Sequence, residues 1–250
     1  MSLASSASFP PSGLPLPREL LLITDELNSP ADFLLYRTVF AHLKENKSAR
    51  AVVVSVSGSE QTWKIMSGKM GVNYAQVLAS QRLIFIDAME HIEQPDDALK
   101  LSSTVPLFRY LQTKLVALQS TPDAPVLVVF DDTAALEWTG VPPLELSRFT
   151  RALSALCRKT GVALILRHPV ATPGEPDDLL RHLLQLCTYH LDVFPLSSGR
   201  SGAVHGQVAL HAGAGVVSAH KTVARGGALQ YRLTDSGAAF FDRGTGGGVL

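Results

Sequence analysis

The sequence has little cysteine: Cys157 and Cys187 are its only two. Two thiolates cannot by themselves close a zinc site, and both lie in leucine-rich stretches of helical character. They are expected as buried free thiols in a reducing compartment. Also missing is any run near the roughly 18 apolar residues of a membrane span. No basic residue precedes Arg18, which argues against a secretory or mitochondrial leader. Charge of one sign is absent as well: 22 Lys and Arg balance 22 Asp and Glu. No global field therefore draws nucleic acid or an acidic membrane, and any such binding must come from a local patch. The eight histidines show no metal-ligand spacing, and His42, near a helix end, reads as structural. Together these absences lead to a soluble intracellular protein without a metal site.

What remains is a chain of 250 residues, 46% hydrophobic and 18% charged, enough to bury a core of single-domain size. Residues 1–17 are rich in serine and proline and read as a flexible tail, with one domain over 18–250. The organising stretch is Val126 to Asp132, an apolar run ending in paired carboxylates. It leaves no polar face, so it reads as the central strand of a parallel sheet covered by helices on both sides. Further strands are expected at Leu20 to Ile23, Ala51 to Val56, Arg82 to Ala88, Val162 to Leu166 and Tyr189 to Phe194, with helical segments between them. Gly161 stops the helix that begins near Leu144. Strict alternation of this kind implies parallel order with right-handed crossovers. After Pro195, glycine-rich turns separate short alternating segments, read as antiparallel strands along one sheet edge. The fold class is therefore α/β, a RecA-like, mainly parallel sheet flanked by helices, with C-terminal antiparallel strands.

Such folds bind nucleotides through a glycine-rich loop after the first strand, with a lysine for the phosphates and a serine or threonine for magnesium. Here that loop reads Thr24-Asp25-Glu26-Leu27-Asn28-Ser29-Pro30, with no glycine and no lysine. Asp25 and Glu26 would repel a triphosphate, and Ser29 before Pro30 reads as a helix N-cap. The pair Gly68-Lys69 opens no helix after a core strand. Without a phosphate cradle, Asp131 and Asp132 read as strand-end carboxylates that hydrogen-bond a neighbouring loop. Glu60 reads as a first-turn charge that complements a helix dipole. No catalytic residue, cofactor or metal ligand is expected.

One region is locally basic. Between Asp192 and Asp235 there is no acidic residue, while Arg200, Lys221, Arg225 and Arg232 all lie there. Residues of this kind in glycine-rich loops can meet nucleic-acid phosphates through charge rather than base readout. Arg167 and His168, at the start of a loop through Pro173-Gly174-Glu175, form a weaker candidate because nearby carboxylates offset their charge. Trp63 and Trp138 read as packing or interface residues.

Four features carry a family resemblance: the degenerate loop after LLLITD, the segment Gly68 to Val72 leading to RLIFIDAME, the run Val204-His205-Gly206-Gln207, and the ending LQYRLTDSGAAFFDRG. With these the chain resembles the Elongator complex protein 6 family from about Leu20 to Leu250. The resemblance implies a non-catalytic, RecA-like subunit without a working ATPase site. It implies a hetero-hexameric ring with Elongator subunits four and five, contact with the remaining Elongator subunits, and residence in cytoplasm and nucleus. It also implies that the ring binds transfer RNA and supports modification of the wobble uridine. In such a ring Arg200, Lys221 and Arg225 are the candidates for RNA contact. Trp138, Val141 and Leu144, near the end of the organising strand, are the candidates for a subunit boundary. Two rival readings remain on the residues alone: a recombinase-like DNA-binding accessory protein, which shares the fold, and a divergent ATPase.

Overall fold

The computed structural model describes residues 9–11, 13–93, 101–118, 124–199, 204–214, 220–235 and 237–243. Six strands run parallel: β1 (Leu20–Glu26), β2 (Arg50–Ser55), β3 (Leu83–Asp87), β4 (Val126–Phe130), β5 (Ala163–Val170) and β6 (Tyr189–Phe194). Three more, β7 (Gly206–Ala212), β8 (Leu229–Thr234) and β9 (Gly237–Phe241), add antiparallel beyond β6. All nine form one sheet in the order β3-β2-β4-β5-β1-β6-β7-β8-β9. The apolar run expected at the centre is β4, third from one edge; the middle strand is β1. The antiparallel extension, attached beyond β6, shifts the centre. β4 still needs cover on both faces, and all five of its residues are buried.

Each face is packed by its own helices. One layer holds α1 (Asp32–Glu45), α2 (Glu60–Lys69) and α3 (Tyr74–Ala79), whose Phe33, Leu34, Phe40, Trp63 and Val77 join a single apolar cluster. Trp63 is a packing residue, 1% exposed, with its ring edge-on to Tyr36 at 4.7 Å. The opposite layer holds α4 (Val105–Leu118), α5 (Thr133–Trp138), α6 (Pro143–Thr160) and α7 (Asp178–Leu186) over a second cluster that includes Cys157 and Cys187. Both cysteines are free and buried, and burial pushes their thiols up, to about 12 and about 11. Gly161 ends α6 in the left-handed conformation, φ 72°. No helix among the described residues is long and apolar enough to cross a membrane.

The segment read as a tail behaves differently where it is described. Phe9 and Leu14 are 4% and 6% exposed and belong to the first apolar cluster. The Phe9 ring meets Phe240 of β9 edge-on at 5.3 Å. Two well-placed apolar side chains suffice to seat a proline-rich stretch whose composition argues for a tail, because proline costs little further chain entropy on ordering.

Candidate functional site

The carboxyl ends of parallel strands are where open sheets of this kind bind ligands. Here β1 is flanked by β5 and β6, and Thr24 is level with His168 on one side and Asp192 on the other. Asp25, next along β1, is 2% exposed. Its Oδ2 accepts the Ala31 N–H at 2.9 Å and so satisfies the start of α1. Ala31 is the N-cap, and Ser29 is not: its hydroxyl turns away to donate to the His205 carbonyl at 3.3 Å. The buried carboxylate outcompetes the serine because a charged acceptor binds a helix N-terminus more strongly.

Facing Asp25 is Arg167 of β5. Its Nε and Nη2 donate to the two Asp25 oxygens at 2.9 and 2.7 Å, a bidentate pair. Nη1 donates to Asp32 Oδ1 at 3.1 Å and to the Asp131 carbonyl at 3.3 Å. Burial opposes the charge of Arg167, but its bonds to Asp25 and the charges of Asp25, Asp32 and Asp132 outweigh burial and push its pKa up. The carboxyl end of β1, next to the start of α1, therefore holds an internal cation with its counter-ions.

Asp131 also turns inward. It accepts from the Ser55 hydroxyl, from Val56 N–H at 2.7 Å and from Gly58 N–H at 3.1 Å. Burial raises its pKa against the pull of those bonds. Asp132 caps α5 by accepting Ala135 N–H at 2.8 Å. Asp131 thus serves the neighbouring loop after β2, as expected from sequence, whereas Asp132 instead caps the helix that it begins. Glu60 sits in the first turn of α2 and accepts the Tyr74 hydroxyl at 3.1 Å.

Arg167 and His168 are not loop residues offered to phosphates. β5 runs on to Val170, and the two are 7% and 0% exposed. His168 Nδ1 meets the Thr133 hydroxyl at 3.0 Å and Nε2 meets Asp177 Oδ2 at 3.0 Å. The bond from His168 holds the Asp177 carboxyl below its ordinary range. The histidine thereby ties α5, β5 and α7 together.

Across β1 lies a cavity of about 320 Å³ lined by Thr24, Glu26, His190, Asp192, His211 and Arg225 among others. His190 Nε2 meets Thr24 Oγ1 at 2.7 Å, and burial pulls its pKa down to about 4. Arg225 Nε donates to Asp192 Oδ2 at 2.5 Å, and its guanidinium lies 4.5 Å above the Phe194 ring. Burial raises the Glu26 carboxyl, with Arg225 opposing. Among the described residues no group of three His, Cys, Asp or Glu side chains is arranged to hold a metal ion.

The residues singled out from sequence fare unequally. Arg200 lies outside the described residues. Lys221 is exposed, and Arg225 is exposed but already ion-paired with Asp192. Trp138 and Leu144 are 81% and 62% exposed. Val141 is 1% exposed and packs in the second apolar cluster, so it offers no surface to a partner. The turn between α5 and α6 hydrogen-bonds Val141 N–H back to the Leu136 carbonyl and draws the side chain inward. Sequence reasoning missed the Arg167–Asp25 pair. A lone arginine directly after the apolar run Ala163 to Leu166 was the available signal, since such a charge must find a partner.

A KaiC-like protein from Pyrococcus horikoshii superposes with a TM-score of 0.66 at 9% identity, covering 94% of this chain and 97% of that one. That likeness shows a mixed sheet of the KaiC and RecA kind. Elongator complex protein 6 of Xenopus tropicalis is 26% identical over 241 residues, covering 87% of this chain and 88% of the relative. Elongator complex protein 6 of Danio rerio is 22% identical over 255 residues, covering 94% of each. Residues 11–235 match the family model described as Elongation complex protein 6, nine-tenths of the chain, and on that match the chain belongs to the Elongation complex protein 6 family.

Proposed function

We propose that this chain is a non-catalytic subunit of the Elongator complex, which joins Elongator subunits four and five in a RecA-like hetero-hexameric ring. The ring binds transfer RNA and supports modification of its wobble uridine, in contact with the remaining Elongator subunits in cytoplasm and nucleus. The observation that carries this reading is the internal ion pair at the carboxyl end of β1. Arg167 with Asp25 and Asp32 fills the place next to α1 where a phosphate would sit, and Asp131 is committed to the loop after β2. The family match and the KaiC-like fold support it from the side of descent. Exposed Trp138 and Leu144 support a subunit boundary on that flank.

Titration calorimetry of the isolated chain with Mg-ATP is expected to give no binding heat; a dissociation constant near micromolar would sink the reading. Co-purification with tagged subunits four and five tests membership. Within the assembled ring, alanine at Arg200, Lys221 and Arg225 is expected to weaken transfer RNA binding. It should also flatten the salt dependence by up to roughly one unit of log–log slope for each phosphate no longer neutralised. Arg225 contributes only after leaving Asp192, so its share should be smaller than that of Lys221. Unchanged affinity and slope would move the RNA-binding surface elsewhere.

A further inference from the structure

The charges of this chain sum to zero but are not evenly spread. α6 turns one straight stripe away from the sheet: Leu144, Arg148, Arg151, Ala155 and Arg158 recur at helical spacing and are all exposed. On the neighbouring α4 the outward stripe is Val105, Arg109, Gln112 and Val116, again exposed. α4 contains no carboxylate. The single one in α6, Glu145, is engaged inward and accepts from Ser103 Oγ at 3.1 Å and from Thr104 N and Oγ1 at 3.3 Å. Those bonds also hold the starts of the two helices side by side, and both helices lead into parallel strands, so the stripes run in the same direction. Arg158 donates to the Leu186 carbonyl at 3.1 Å. Arg109, Arg148 and Arg151 enter no salt bridge among the described residues.

The amino-terminal end of this basic face is apolar. Trp138, Leu101, Leu144 and Val105 are 81%, 71%, 62% and 45% exposed. The Ser102 hydroxyl donates to the Thr139 carbonyl at 3.2 Å and joins their two segments. Among the described residues, exposed carboxylates at its edge are Glu137, beside Trp138, and Glu93, whose backbone pairs with Ser103. Large exposed apolar side chains carried on neighbouring segments in this way mark an interaction site.

We propose that the α4–α6 face is the docking surface for an acidic amphipathic helix of a partner protein. Its apolar residues would seat on Trp138, Leu144 and Val105, and its carboxylates would follow Arg148, Arg151 and Arg109. Charge complementarity selects an acidic occupant, and the aliphatic anchors select a protein one. RNA phosphates would neutralise the arginines equally well, but they would leave Leu101, Val105 and Leu144 without apolar cover, and only Trp138 offers a stacking platform. The proposal rests on the reading of this chain as a subunit and adds what the partner must present.

The test needs no partner. A fluorescein-labelled synthetic helix of about 15 residues, roughly 22 Å long to match the α6 stripe, carries glutamate on one face and leucine on the other. Its anisotropy is titrated with the full chain alongside a lysine-faced version and a labelled oligouridylate. The acidic helix is expected to bind, the lysine-faced one not, and affinity should fall from about 50 to about 300 mM salt. Arg148→Glu/Arg151→Glu should weaken binding about tenfold or more. Trp138→Ser, which leaves the charge untouched, should weaken it at unchanged salt slope. All three positions are exposed, so circular dichroism should show an unchanged fold. No binding, equal binding by the variants, or tighter binding of the oligouridylate would each overturn the proposal. Failure here concerns the face alone, because ring membership is read separately by co-purification.

Discussion

Arg167 and Asp25 show what a buried charge requires. Removing one partner leaves the other without compensation in a dry site, whereas removing both leaves a merely polar or apolar environment. Arg167→Met should destabilise by about 3–5 kcal/mol in chemical denaturation, while Asp25→Asn/Arg167→Met should recover most of that loss. A double variant as unstable as the single one would mean that Asp32 and the Asp131 carbonyl, not Asp25, carry the energy. His190 makes a second residue-level case. Its folded pKa is lowered to about 4 from 6.5, so on acidification the unfolded chain takes up the proton first. Its stabilising share is complete above pH 6.5 and is lost as pH falls from there toward about 4, approaching roughly 3 kcal/mol. The raised carboxyl of Asp131 works in the opposite sense. The difference between wild type and His190→Gln, followed by melting temperature against pH, therefore isolates the histidine; parallel profiles would remove it as a source.

Between elements, small residues decide how closely loops approach. A Cβ on Gly58 would lie 2.9 Å from Asp131 Oδ2 and 3.0 Å from Ser55 Oγ. It would thus push apart the end of β4 and the loop after β2 just where Asp131 accepts its hydrogen bonds. Gly58→Ala should cost about 1–3 kcal/mol. Gly226→Ala is the control: an added methyl meets nothing within 4 Å, and a shift under about 0.5 kcal/mol is expected. Similar costs at both sites would mean that chain entropy, not steric crowding, sets them. The helices obey the same logic. His42 at the end of α1 bridges the Arg50 and Pro125 carbonyls at 3.1 and 3.2 Å, so one side chain ties the starts of β2 and β4.

For the whole molecule, the sheet has two edges, and the antiparallel edge is held by the chain's own beginning. Phe9 packs on Phe240, and Arg37 of α1 donates to the Ala238 carbonyl of β9 at 3.1 Å. α1, β9 and the proline-rich stretch therefore stabilise one another. Phe9→Ala should lower stability by about 3 kcal/mol, the low end for losing a buried phenylalanine. An unchanged melting temperature would return residues 9–17 to the role of a tail.

The sequence by itself determined the order of elements, because apolar runs and helical periodicity are local properties that burial on one face or two imposes residue by residue. Six parallel strands, an antiparallel extension and the stop at Gly161 were legible in that way, and so was the loop-bonding role of Asp131, once the loop after β1 lacked glycine and lysine; the capping of α5 by Asp132 was not. Tertiary structure alone decided the partners of charges. Arg167 finds Asp25 across 142 positions of chain, a separation on which no local pattern bears. It likewise turned Val141 into the core while leaving Trp138 and Leu144 outside, a choice made by the turn between two helices rather than by hydrophobicity, which all three share. It also gathered the arginines of α4 and α6 onto one face of a chain whose net charge is zero, because only packing fixes which side of a helix meets water.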